Sequence, residues 1–247
     1  MAYWSKGFAA FVEATASERH AELKERTVIS ELAIAYLILG GVGAGCIAVC
    51  SLLDLVAVRE RFGDADLSQG PAVCSGARMI DYSFALGFAV LGAGVSCLIF
   101  DLGRLDRMIS LFVHPSLSWM TFGVYSIATL LVLGCFLALV RLLYLPWIKR
   151  AAVVACEALA IVFAFAVMVY TGLLLGTLNG VALWMSLWLP ALFVASSASG
   201  GIALVTVCGV FVEKDADAVR MLHLLAICDI VMILAEAIFA VLFVSGI

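Results

Sequence analysis

Apolar residues fall into six long blocks separated by short polar interludes, and the longest charge-free stretch, Ala158 to Val212, runs 55 residues without an Asp, Glu, Lys or Arg. A helical crossing of a bilayer takes about 20 mostly apolar residues. That stretch therefore predicts two crossings joined by a short turn at Asn179 and Gly180, with Pro190 just beyond. The same pattern along the chain predicts helices over about 28–57, 82–101, 116–144, 151–178, 187–213 and 219–246. The expected fold is all-α: a polytopic transmembrane bundle of six helices over residues 28–247. Glu157 interrupts the fourth helix and Asp229 and Glu236 the sixth. Each still keeps enough apolar residues to insert if its carboxylates face inward.

Residues 1–27 form a separate segment. Lys6, Glu13, Glu18, Arg19, Glu22, Lys24, Glu25 and Arg26 alternate there with Trp4, Phe8, Phe11 and Val12, which share one stripe of a helix. No uninterrupted apolar stretch follows a basic start, so this is not read as a cleaved signal peptide. It is expected to lie along the membrane interface or to meet a partner subunit.

Composition sharpens the class: 65% of residues are hydrophobic and 13% charged, a balance of polytopic membrane proteins and not of water-soluble domains. Charge gives the orientation. With the amino terminus on side A, that side carries Lys6, Arg19, Lys24, Arg26, Arg104 and Arg107, against Arg59, Arg61, Arg78, Arg141, Lys149, Arg150, Lys214 and Arg220 on side B. The excess of basic residues puts side B in the cytoplasm and the amino terminus outside.

Of the eight cysteines, seven fall inside the expected helices and only Cys74 in a loop. Without a Cys-x-x-Cys clamp they read as small packing residues and not as a metal or cluster site. Histidine is limiting: His20, His114 and His223 are the only three, and only His223 is near a crossing. Axial haem ligation from within the bundle is therefore not expected, and redox centres would have to come from a partner. Gly40, Gly41, Gly43 and Gly45 in the first helix and Gly200 with Gly201 in the fifth predict close helix approach.

Ionisable groups in the hydrocarbon are costly unless paired or hydrated, so their positions carry chemistry. On side A stand Glu31 at the start of the first helix, Asp101, Arg104 and Asp106 at the end of the second, Ser118 and Trp119 opening the third, and Tyr170 in the last third of the fourth. Asn179, Trp184 and Trp188 cap the next turn. An aromatic belt with helix caps accounts for the tryptophans but not for Tyr170 in an apolar turn. A second set comprises Asp54, Glu157, Asp229 and Glu236. Asp229 and Glu236, seven residues apart, share a face of the sixth helix. Such a row suits either a proton path or a hydrogen-bond network that fixes packing.

Several of these strings together resemble the NrfD/PsrC-type, polysulfide reductase-like membrane anchors. They are Ala35 to Gly45 in the first helix, Asp101-Leu102-Gly103-Arg104 after the second, Pro115 to Met120 opening the third, and Tyr170 to Leu175 in the fourth. Leu183 to Pro190, Ser196 to Gly201, and Asp229 with Glu236 complete the set over residues 28–240. The resemblance implies an anchor that passes electrons between a membrane quinone, menaquinone or ubiquinone, and the iron–sulfur clusters of a ferredoxin-like partner. A further catalytic subunit, a molybdoenzyme or a multihaem cytochrome, is implied too, with no haem or metal in this chain. It implies that Glu31 and Tyr170 hold the quinone head group, with Asp101, Arg104 and Trp119 alongside. Side A, with Arg104, Arg107 and His114, is the expected docking face. Asp54, Glu157, Asp229 and Glu236 are the expected proton path. The chain departs from the family's frequent eight helices and from its Asn or His at the end of helix one. A six-helix secondary transporter and a purely structural anchor are the alternatives; no internal repeat supports the former, and no Gly-x-Ser-x-Gly nucleophile supports an intramembrane protease.

Overall fold

A computed structural model describes residues 31–62, 77–102, 119–143, 148–176, 188–212 and 216–245. Six helices occupy them: α1 Glu31–Phe62, α2 Ala77–Leu102, α3 Trp119–Leu142, α4 Arg150–Gly176, α5 Trp188–Val212 and α6 Ala216–Ser245. Each contains a stretch of 22 to 24 residues long and apolar enough to cross a membrane. In hydrocarbon a helix is the conformation that satisfies every backbone N–H and C=O within one segment. The apolar blocks read from the sequence therefore became the helices.

Two helix limits differ from the sequence reading in a way that matters. α1 continues to Phe62, past the expected 57, and α2 begins at Ala77, before the expected 82. Apolar runs mark where hydrocarbon ends, whereas helical hydrogen bonding continues into the interface through good helix formers such as Arg59, Glu60 and Arg61. At 32 residues, α1 is roughly 48 Å long, well beyond the roughly 30 Å hydrocarbon thickness. The early start of α2 brings Asp81 inside the bundle.

α1 is the central staff, packed against α2, α4 and α5. Its approach to α5 is at backbone distance. A Cβ on Gly45 would overlap the Ser197 carbonyl, and one on Gly201 would overlap the Gly45 backbone. Against α2, a Cβ on Gly43 would come within 2.6 Å of the Leu91 nitrogen. Without a hydrophobic force between helices in lipid, such dense contact supplies the attraction. The buried core contains Ala44, Cys46, Ile47, Phe84, Leu91, Leu130, Leu137, Ala164, Val167 and Val205. α6 packs chiefly on α5 and turns Leu224, Ile227, Val231, Leu234 and Val241 outward.

Candidate functional site

Six successive crossings put the start of α1, the end of α2, the start of α3, the end of α4, the start of α5 and the end of α6 on side A. Tyr170 lies there in the last third of α4, buried at 7% exposure. Its ring fills the space over Gly123 of α3, where any Cβ would overlap the ring. Tyr36, one turn into α1, is 2% exposed and close enough to Tyr170 for the two phenols to interact electrostatically. Gly40 lies over the Tyr36 ring, where an added Cβ would sit 3.3 Å from it. The Tyr36 hydroxyl has no hydrogen-bond partner among the described residues, and a buried polar group left so costs about 1–3 kcal/mol. Near the same end Trp188 stacks on Phe239, ring centroids 6.2 Å apart. An apolar cavity of about 310 Å³ opens between α4, α5 and α6 along Phe165, Val169, Pro190 and Phe239.

The other expected side A residues are placed less fully. α1 begins at Glu31, α2 ends one residue beyond Asp101 and α3 begins at Trp119. The side chains of these three, and all of Arg104, Arg107 and His114, lie outside the described residues.

Near side B the structure assembles a cluster that the sequence reading missed in half its members. Arg141, in the last turn of α3, has a side chain 4% exposed. Its Nη1 donates to Asp81 Oδ1 of α2 at 3.1 Å and its Nη2 to Glu157 Oε1 of α4 at 2.8 Å. Nη2 also meets Asp54 Oδ2 of α1 at 2.5 Å. The guanidinium carbon sits 4.8 Å from the centre of the Phe84 ring, a cation–π contact. One rigid fork thus ties four helices together, geometry that Arg supplies and Lys does not. Three carboxylates share this one cation, and Glu157 Oε2 has no hydrogen-bond partner among the described residues. Chemically, such a group of carboxyls can take up and release a proton while the cation holds them in place.

The sequence counted Arg141 among the loop cations of side B. Its burial, with that of Arg150, removes two basic residues from that side of the tally. Asp81 stood just outside the expected second helix. Both could have been found from topology alone: the ends of α1 and α3 and the starts of α2 and α4 meet on one membrane side, at the depth of Asp54, Arg141, Asp81 and Glu157.

The four expected proton-path residues divide. Asp54 and Glu157 converge on Arg141. Asp229 instead accepts a 2.7 Å hydrogen bond from the Ser199 hydroxyl of α5, and Glu236 is half-buried two turns further along α6. Cys46 and Cys50 are fully buried in the core, and the Cys46 thiol donates to the Ser83 carbonyl at 3.3 Å. Among the described residues no group of three or more His, Cys, Asp or Glu is arranged to hold a metal ion.

A six-helix bundle with a tyrosine pair buried near one membrane face and an arginine–carboxylate cluster near the other defines a multi-pass membrane protein with polar sites inside its spans. The chain belongs to the polysulphide reductase NrfD family, whose model matches residues 21–247. No curated protein and no solved structure matches it.

Proposed function

We propose that this chain is the quinone-reactive membrane anchor of a multisubunit respiratory oxidoreductase. In this reading it exchanges electrons between menaquinone or ubiquinone and the iron–sulfur clusters of a ferredoxin-like subunit, which in turn serves a molybdoenzyme or multihaem catalytic subunit. Family membership supports the reading at the level of the fold. The observation that carries it further is the burial of Tyr170 at one membrane end, its ring held over Gly123.

A quinone supplies a two-electron couple that takes up or releases two protons. The residues present fit such a ligand: a phenol can donate to a quinone oxygen and accept from a quinol hydroxyl. Tyr170 binds and orients one oxygen, and Glu31 at the start of α1 takes or gives the proton. Asp101, Arg104 and Trp119 are assigned to the same end by their places in the sequence. Arg104, Arg107 and His114 are assigned to the contact with the iron–sulfur partner on side A, outside the cytoplasm. Asp54 and Glu157, held by Arg141, and Asp229 with Glu236 on α6 carry protons toward or from side B.

Affinity purification of the tagged full chain from its native membrane tests the assembly. An iron–sulfur subunit should co-purify in stoichiometric amount, with its clusters visible by electron paramagnetic resonance. A chain that purifies alone and moves a solute across proteoliposomes would replace this reading with the transporter.

A further inference from the structure

The Tyr36 hydroxyl is a polar group in the core that the packing among the described residues does not use. Its ring is well accounted for, lying under Gly40 and within the central cluster of buried side chains. A phenylalanine would serve that purpose equally well. The hydroxyl adds a buried donor and acceptor with no partner among the described residues, on the helix next to α4 and within electrostatic reach of Tyr170. Buried polar groups in folded proteins are nearly always satisfied, so an orphan beside a candidate site calls for a ligand atom.

We propose that Tyr36 is a second hydroxyl ligand to the quinone head group, acting from α1 beside Tyr170 of α4. This rests on the quinone-anchor reading above and adds a residue to it. The chemistry favours a phenol over the Glu31 carboxylate for this contact. An oxidised quinone offers only acceptor oxygens. An ionised Glu31 can only accept, whereas a tyrosine donates to the quinone and accepts from the quinol. The two phenols bind both redox forms, and Glu31 is left to handle protons.

The test compares Tyr36→Phe, Tyr170→Phe and the double variant in the intact purified complex, with short-chain ubiquinone and menaquinone analogues as probes. Three quantities are read: probe affinity, the infrared carbonyl stretch of the bound ¹³C-labelled probe, and the melting temperature without probe. Tyr36→Phe should weaken binding about 5-fold to 150-fold, the range that one lost hydrogen bond of about 1–3 kcal/mol represents. The carbonyl band should move to higher frequency. The probe-free melting temperature should not fall and should if anything rise, because the hydroxyl has no partner among the described residues and its removal relieves a desolvation cost, while stabilisation by the probe shrinks. Unchanged affinity and carbonyl band in Tyr36→Phe, with Tyr170→Phe impaired, would refute the role of Tyr36 and leave the anchor reading intact. A lower probe-free melting temperature with an unchanged band would also refute it, by showing that the hydroxyl serves the fold. If the unaltered complex binds neither probe, the quinone reading itself fails, and the Tyr36 assignment with it.

Discussion

Removing the Arg141 side chain should be among the most damaging single changes in this bundle. The guanidinium is the shared partner of Asp54, Asp81 and Glu157, on three other helices, and it lies on the Phe84 ring. Arg141→Met keeps comparable bulk but takes away the guanidinium that those three carboxylates share. Breaking a buried pair by removing one member costs about 3–5 kcal/mol, because the remaining charge stays desolvated. For a chain of this size, 1 kcal/mol moves the melting temperature by about 2–4 °C. The expected fall is therefore about 6–20 °C, read by size-exclusion chromatography of heated, detergent-solubilised protein. Arg141→Lys should recover only part of it, since one ammonium cannot reproduce the two-nitrogen fork. Combining Arg141→Met with Asp54→Leu, Asp81→Leu and Glu157→Met should recover most of it, because a buried ion-pair cluster replaced as a whole by hydrophobic side chains of similar volume is often nearly neutral. If Arg141→Met melts with the unaltered protein, or if the combined variant is worse than the single one, the cluster does not hold these helices in the way described.

Gly123→Ala should cost about 1–3 kcal/mol of stability through overpacking and weaken quinone-analogue binding, because its methyl group would occupy the space of the Tyr170 ring; Gly92→Ala, which meets nothing within 4 Å, should be neutral or stabilising by up to about 1 kcal/mol, and equal effects at the two sites would count against the placement of Tyr170. Glu157→Gln and Asp229→Asn should slow quinone turnover or alter its pH profile while the complex still assembles, since the amides keep hydrogen-bonding capacity and lose the proton; normal turnover in both assigns these groups to packing alone. Charge reversal at Arg104 and Arg107 together should weaken retention of the iron–sulfur subunit in a pull-down, and an intact complex would move the docking face away from side A.

Much of the architecture was legible because lipid makes a simple demand: long charge-free runs must be helices, and six such runs gave six helices among the described residues. Close helix approach at the glycines of α1 and of α5 was legible too, but not that Gly45 and Gly201 meet each other. What the local pattern along the chain does not record is partnership across it, which appears only when the helix ends that share a membrane side are set together. Arg141 at the edge of an apolar run looks the same whether it points to lipid head groups or into the bundle, and only the neighbouring Asp54, Asp81 and Glu157 decide. Asp229 and Glu236 share a helical face as their spacing requires, yet Asp229 bonds Ser199 and does not join the cluster at Arg141, because α6 packs on the far side of α5. Tyr36 was visible only as part of a motif. Its interest lies in a hydroxyl without a partner among the described residues, which no sequence pattern records.

The central claim is that electrons pass between membrane quinone and a bound iron–sulfur subunit through a head-group site at Tyr170 and Glu31. Rapid-mixing spectroscopy of the purified complex, following cluster reduction after addition of a short-chain quinol, tests it most directly. Reduction should be fast in the unaltered complex, slower by about 5-fold to 150-fold in Tyr170→Phe, as loss of one hydrogen bond worth about 1–3 kcal/mol requires, and slowed in Glu31→Gln at the proton-releasing step. Cluster reduction at the same rate in both variants, or in preparations lacking this chain, would contradict the account.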